Sequence, residues 1–226
     1  MCEMPPRVTT DDAERPLRAD AERNRRRILE AAAEVFARRG LAATLDDIAH
    51  EAGVGVGTVY RRFPDKEHLI DALFEARIEE LVAVADAGLE NPDALAGLVH
   101  FLEHGLELQA SDRGLKELMH SAGLGAKRVA HARSMIAPRV MQMVARAHES
   151  GQLRDDVAGP DMPLITLMIG SIMDATHEVQ PEVWRRLLTI VIDGLRARPG
   201  AATPMPVAPL TYDEVPRVMS APKPRR

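Results

Sequence analysis

The chain is nearly free of cysteine: Cys2 is the only one in 226 residues. That excludes a disulfide framework and any cysteine-built metal cluster, and it fits a reducing, cytoplasmic setting. Aromatic residues make up only 3%, too few for the stacking platforms that hold single-stranded nucleic acid. No apolar run approaches the roughly 18 residues that would suggest a membrane span. The opening MCEMPPRVTTDDAERPLRAD lacks the apolar segment of a secretory signal. No P-loop, dinucleotide fingerprint or Ser/His/Asp arrangement is evident, so no catalytic residue and no cofactor are expected. A net charge of -5 argues against a basic coat for nucleic acid.

Apolar residues amount to 46% and charged residues to 28%, an ordinary composition for a chain that buries a core. The charge is unevenly spread. Residues 23–68 hold nine Lys/Arg against seven Asp/Glu, so the acidic surplus lies elsewhere. A local basic excess in an acidic protein is a sign of one anion-facing surface.

The stretch Leu41–Lys66, LAATLDDIAHEAGVGVGTVYRRFPDK, has the build of a helix-turn-helix. Thr44 can cap a first helix, with Asp47 three residues on to reach back. Leu45, Ile48 and Ala49 share a face. Gly53 supplies the positive φ that a tight turn needs. A second short helix, Val56–Arg62, turns hydroxyls and guanidiniums outward and is stopped by Pro64. Such a face suits a DNA groove better than a protein core. Gly55 offers this helix no side-chain cap.

These residues resemble the DNA-binding signature of the TetR/AcrR family of bacterial regulators. The similarity rests on Gly40, Thr44, Ile48-Ala49, Ala52-Gly53-Val54, Gly57-Thr58, Tyr60, Phe63, Lys66-Glu67 and Leu69, about a fifth of the chain. It implies that Val56, Thr58 and Arg61 face base edges, and that Thr44, Tyr60, Arg62 and Lys66 hold phosphates. Gly57 would let the backbone approach the DNA closely, while Val59 and Phe63 anchor the helix. Arg61 could pair bidentately with guanine. The implied partner is double-stranded operator DNA, read by a homodimer that a small-molecule inducer releases.

Residues 1–20, with Pro5, Pro6 and Pro16, are expected to be a disordered arm. The DNA-binding domain then spans 21–66, opening with a helix from about Ala21 to Arg39 whose buried stripe is Ile28, Ala32, Val35 and Phe36. Its start carries Arg23, Arg25, Arg26 and Arg27. Cations there oppose the helix macrodipole, and Arg25 and Arg26 are candidates for contacting phosphate or the minor groove. A helical ligand-binding and dimerisation domain is expected over 67–198, making the fold all-α. Its helices should span about 66–86, 93–110, 115–121, 127–150 (kinked at Pro138), 161–178 and 181–198. Residues 199–226 hold seven prolines and suggest a disordered tail.

The last two long helices are apolar on more than one side. In the final one Trp184, Leu188, Val191, Ile192 and Leu195 form one stripe; Val183, Leu187 and Ile190 form another. Such a helix needs more than one neighbour. A second copy of the chain could supply it, with Ile169, Met173, Trp184, Leu188, Val191, Ile192 and Leu195 as candidate interface residues; burial within a single chain is the alternative. Phe101, Leu102, Gly105, Met119, Met135, Met143 and Met168 are candidates for lining an inducer pocket, methionine being adaptable to irregular apolar ligands.

A rival reading comes from His100, Glu103, His104 and Glu107, which share a helical face at i, i+3, i+4 and i+7. His-x-x-Glu-His matches an inverted zinc-protease motif and could mark a metal sensor or metal-dependent enzyme. A solvated polar face is the simpler explanation. A third possibility is a DNA-binding regulator with no small-molecule ligand.

Overall fold

The computed structural model describes residues 10–111, 125–198, 200 and 202–219. The chain divides into two compact units between Phe74 and Glu75.

The first unit contains α1 (Thr10–Arg39), a 3₁₀ turn (Gly40–Ala42), α2 (Leu45–Ala52), α3 (Val56–Arg62) and the start of α4 (Lys66–Glu90). Ile28, Ala32, Val35 and Phe36 are buried as their spacing requires, as are Ile48 and Ala49 of α2 and Val59 of α3; α1 packs on α2 and α2 on α3. α1 begins before the expected Ala21, and residues 10–20, expected as an arm, form its first turns. That segment is rich in Ala, Asp, Glu and Arg, and Pro16 is its only helix breaker. Arg23 to Arg27 therefore sit mid-helix. The dipole penalty expected for them does not arise, because it fades beyond the first turn.

α2 is capped from both sides. The Asp47 N–H donates to Thr44 Oγ1 at 3.1 Å, and the Thr44 N–H donates to Asp47 Oδ2 at 2.9 Å. Gly53 at φ 61° closes the helix, its N–H reaching His50 O at 3.2 Å. α4 is capped in turn by Asp65, which accepts from the His68 N–H at 2.9 Å.

The second unit holds the remainder of α4, then α5 (Ala94–Ser111), α6 (Gly125–Glu149), α7 (Asp161–Thr176), α8 (Val183–Leu195) and a short α9 (Val215–Met219). The expected helix over 115–121 lies outside the described residues. Where α4 turns into α5, Gly88 and Gly97 face each other so closely that a Cβ on either would collide with the other's backbone. Arg146 of α6 binds the end of α4, donating to Asn91 O at 2.9 Å and to Leu89 O. One apolar cluster centres on Leu98, Leu102, Met143, Leu153 and Met162, and a second on Leu106, Ile169, Trp184, Leu188 and Ile192.

The tail departs from expectation. Residues 202–219 dock on the second unit instead of running free. Val215 is 3% exposed, α9 packs on α7, and the Tyr212 ring fills the space that a side chain at Gly159 would need. Arg154 grips Asp156 through Nε–Oδ1 at 2.7 Å and Nη2–Oδ2 at 2.8 Å, and also donates to Thr203 O at 2.6 Å. Prolines limit helix in this stretch, but they do not prevent two apolar anchors from finding a groove. No described helix is long and apolar enough to cross a membrane.

Candidate nucleic-acid interface

α3 buries one residue, Val59, and Phe63 just beyond it is 4% exposed; these two fix the helix to its unit. The remaining side chains face away. Val56 is 43% and Tyr60 47% exposed, Arg61 and Arg62 are exposed, and Thr58 is half-buried. Gly55 precedes the helix without a side-chain cap, and a Cβ on Gly57 would meet nothing within 4 Å. The own-chain packing of α3 therefore does not require glycine at 57.

Around α3 the candidate phosphate contacts are set differently from one another. Arg26 is open to solvent, with only a loose 3.9 Å approach to Glu30. Glu22 lies 3.6 Å from Arg25 and 4.0 Å from Arg62, an acid placed between two members of the basic face. The Thr44 hydroxyl is committed to its cap, donating to Asp47 Oδ2 at 2.8 Å. Lys66 is half-buried with its ammonium 5.7 Å from the centre of the Phe36 ring, and desolvation pulls it below the usual lysine range.

Sequence reasoning missed three arginines that brace the motif. Arg27 donates to Ala52 O at 2.8 Å, Arg38 pairs with Glu51 at 2.7 Å, and Arg39 pairs with Asp47 at 2.7 Å. Backbone and side-chain hydrogen bonds from Thr44, with Arg39 nearby, hold the Asp47 carboxyl below its ordinary range. No local pattern reveals these partners, which lie on a different helix from each arginine.

In the second unit, Phe101, Leu102 and Met143 are packed into the core between helices. Gly105 is half-buried beside Leu81, Met135 and Met168 are exposed, and Met119 lies outside the described residues. None of the six described residues lines the cavity that this unit presents. A half-open cavity of about 340 Å³ lies instead where the end of α5 meets α7 and α8, walled by Glu107, Met173, Asp174, Trp184 and Arg185. The Arg185 guanidinium stacks 4.4 Å from the Trp184 ring centre, and it bonds Glu182 at 2.6 Å and Glu107 at 3.0 Å. Those two carboxylates raise its pKa further. The Trp184 indole N–H is buried without a hydrogen-bond partner.

The first apolar stripe of α8 turns inward. Trp184, Leu188, Ile192 and Leu195 are buried in their own chain, as are Ile169 and Met173 of α7, and Val191 is half-buried against the same core. What α7 and α8 leave exposed is Leu167, Met168 and Ile190, with Leu187 and Val183 half-exposed beside them.

On the polar α5 face His100 and Glu107 are exposed, as periodicity suggests, and Glu103 is half-buried. His104 is half-buried, with Nε2 3.3 Å from Glu80 of α4 and Nδ1 4.0 Å from Glu107. The His100 and His104 rings stand 6.4 Å apart. Among the described residues, no group of three or more His, Cys, Asp or Glu is placed to hold a metal ion.

A capped helix, a glycine turn and a short second helix with an outward face of Val, Thr, Tyr and Arg define a helix-turn-helix of the DNA-binding kind. Known proteins agree. Residues 28–73 match the family described as bacterial regulatory proteins, tetR family, and residues 91–197 match the C-terminal domain of SbtR-like transcriptional regulators. The HTH-type transcriptional regulator SrpR of Pseudomonas putida is 31% identical over 140 residues, 60% of this chain and 66% of that one. Other curated relatives are matched over smaller shares of their length, 56% for the regulator TtgW of the same species. A TetR regulatory protein of Mycobacterium vanbaalenii is 32% identical, with a TM-score of 0.66 over 80% of this chain and 100% of that one. The regulator SCO0520 of Streptomyces coelicolor is 29% identical, with a TM-score of 0.63 over 76% and 98%. The chain belongs to the TetR family of bacterial regulatory proteins, which are DNA-binding transcriptional regulators and not enzymes.

Proposed function

We propose that the chain is a cytoplasmic, homodimeric repressor that reads a palindromic operator through α3 and leaves it when a small molecule binds the second unit. The observation that carries this is the α3 face: Val59 is its one buried residue, while Val56, Tyr60, Arg61 and Arg62 all point to solvent. In this reading Val56, Thr58 and Arg61 meet base edges. Tyr60, Arg62, Arg25 and Arg26 meet phosphates, and Gly57 gives the DNA backbone room. Thr44 would meet a phosphate only by turning its hydroxyl away from Asp47, and Lys66 adds a weaker contact.

The first unit reads DNA, and the second binds the effector and the partner chain. The exposed apolar residues Leu167, Met168 and Ile190 favour a second copy, with α7 and α8 of each chain forming a four-helix interface. Two-fold symmetry would set the reading helices about 34–36 Å apart, one turn of DNA. α4 starts in the first unit and ends in the second, so it can carry the effector's signal. The effector shifts DNA affinity by no more than its differential affinity for the two conformations.

Gel-shift titrations across a salt series test the reading. Arg61→Ala should relax sequence preference, with discrimination falling by roughly 1–3 kcal/mol. Arg62→Ala should weaken all duplexes alike and reduce the salt slope by about one. Equal effects of the two on specific and random duplex would overturn the assignment.

A further inference from the structure

Resting on the reading of the second unit as an effector-binding body, the effector's chemical class can be drawn from the cavity at the α5, α7 and α8 ends. The cavity has an apolar wall, Met173 and Trp184, and an acidic rim of Glu107, Asp174 and Glu182. Among the described lining residues the one arginine, Arg185, occupies the most favourable position for positive charge. Its guanidinium lies over the Trp184 face at 4.4 Å and is held by both Glu107 and Glu182. Its side chain is nevertheless 48% exposed, on a helix surface from which it can swing away. Asp174 has an interaction of its own, so the balance rests on Glu107 and Glu182: two carboxylates against one guanidinium leave the rim net negative.

We propose that Arg185 is an internal stand-in for the ligand, and that the cavity takes an amphipathic organic cation, an amine or amidine with an apolar tail. The ligand's charge replaces the guanidinium between Trp184 and the two glutamates, and its tail lies against Met173. Once the guanidinium swings away, a cation is attracted to the π face of tryptophan and to the two glutamates, whereas an anion meets repulsion from them. A volume of about 340 Å³ suits a small molecule. Glu107 also faces His104, which faces Glu80 of α4. Freeing Glu107 from Arg185 would therefore alter a line of polar contacts that ends on the connecting helix.

Trp184 is the only tryptophan in the chain, so its emission reports the cavity directly. The test titrates the full-length protein with phenylbutylammonium and with phenylbutyrate, which share a tail and differ in charge. The ammonium should change Trp184 emission saturably and the carboxylate should not. Arg185→Met, which removes the internal competitor, should bind the ammonium about tenfold more tightly, and Glu107→Gln with Glu182→Gln about tenfold more weakly. Equal binding of the two probes, no saturable change with either, or no gain in Arg185→Met would overturn the proposal. Should Arg185→Met fail to fold, the comparison of the two probes on the native chain still decides. Operator binding without probe is measured in parallel; its loss would contradict the DNA-binding reading and leave the cavity result standing.

Discussion

The guanidinium of Arg27, midway along α1, donates to the backbone oxygen of Ala52, the last residue of α2, at 2.8 Å. The final carbonyls of a helix have no partner within it, and this bond supplies one. It also sets the turn, since a Cβ on Gly53 would come within 3.2 Å of the same guanidinium. Arg27 thus positions α2, and through the turn α3, although it stands among arginines that invite a DNA-contact interpretation. Arg27→Ala should lower unfolding stability by about 1.5 kcal/mol, the lower end for a charged hydrogen bond because the side chain is largely exposed. Urea denaturation would show it, and the ranking of DNA sequences should stay the same.

Gly57 separates what folding needs from what DNA binding needs. It lies in helix, with open space where a Cβ would go. Gly57→Ala should stabilise the free protein by up to about 1 kcal/mol, the helix-propensity difference between the two residues. The same change should weaken operator binding, because a methyl group then stands where a phosphate approaches. Thermal melts and gel shifts on one preparation would reveal the opposite signs.

The helix-turn-helix was legible in sequence because each of its signals is local. Thr44 reaches Asp47, Gly53 closes the turn, and Val59 with Phe63 marks the inner side of α3. The braces were not legible, since Arg27 meets a carbonyl 25 residues away. In α8 both stripes are equally apolar, so periodicity alone could not say that Trp184 and Leu188 face inward and Ile190 outward. The cavity depends on three helix ends meeting, and its residues are scattered along the chain. The tail misled through composition: seven prolines obscured Tyr212 and Val215, whose docking site is formed by distant residues such as Gly159.

The tail's attachment should depend on pH at one carboxylate. Asp156 accepts from Arg154 and from the Met205 N–H at 3.2 Å, and the Arg154 guanidinium above all holds its pKa down to about 2. A carboxyl depressed on folding gives stability that is complete above its unfolded value, about 3.9, and is lost as pH falls through the folded value. Protection of the Met205 amide from hydrogen exchange should therefore persist at pH 4 and disappear towards pH 2. Asp156→Asn should remove it already at neutral pH.

The exposed side of α7 and α8 predicts where a charge would break the proposed dimer. Ile190→Glu places a carboxylate in the centre of the proposed interface, where its burial is unfavourable without a partner. Sedimentation at micromolar concentration should show the dimer of the native chain giving way to monomer, with far-UV circular dichroism unchanged. Glu149→Lys, an exposed change on α6, serves as a control for altered charge.

Selection of duplexes from a random pool by the purified protein tests the central claim most directly. Enrichment of one palindromic sequence is expected, with half-sites about one helical turn apart and a preference that Arg61→Ala relaxes. A pool that stays random after repeated rounds, with every duplex retained equally at moderate salt, would contradict sequence-specific reading by α3.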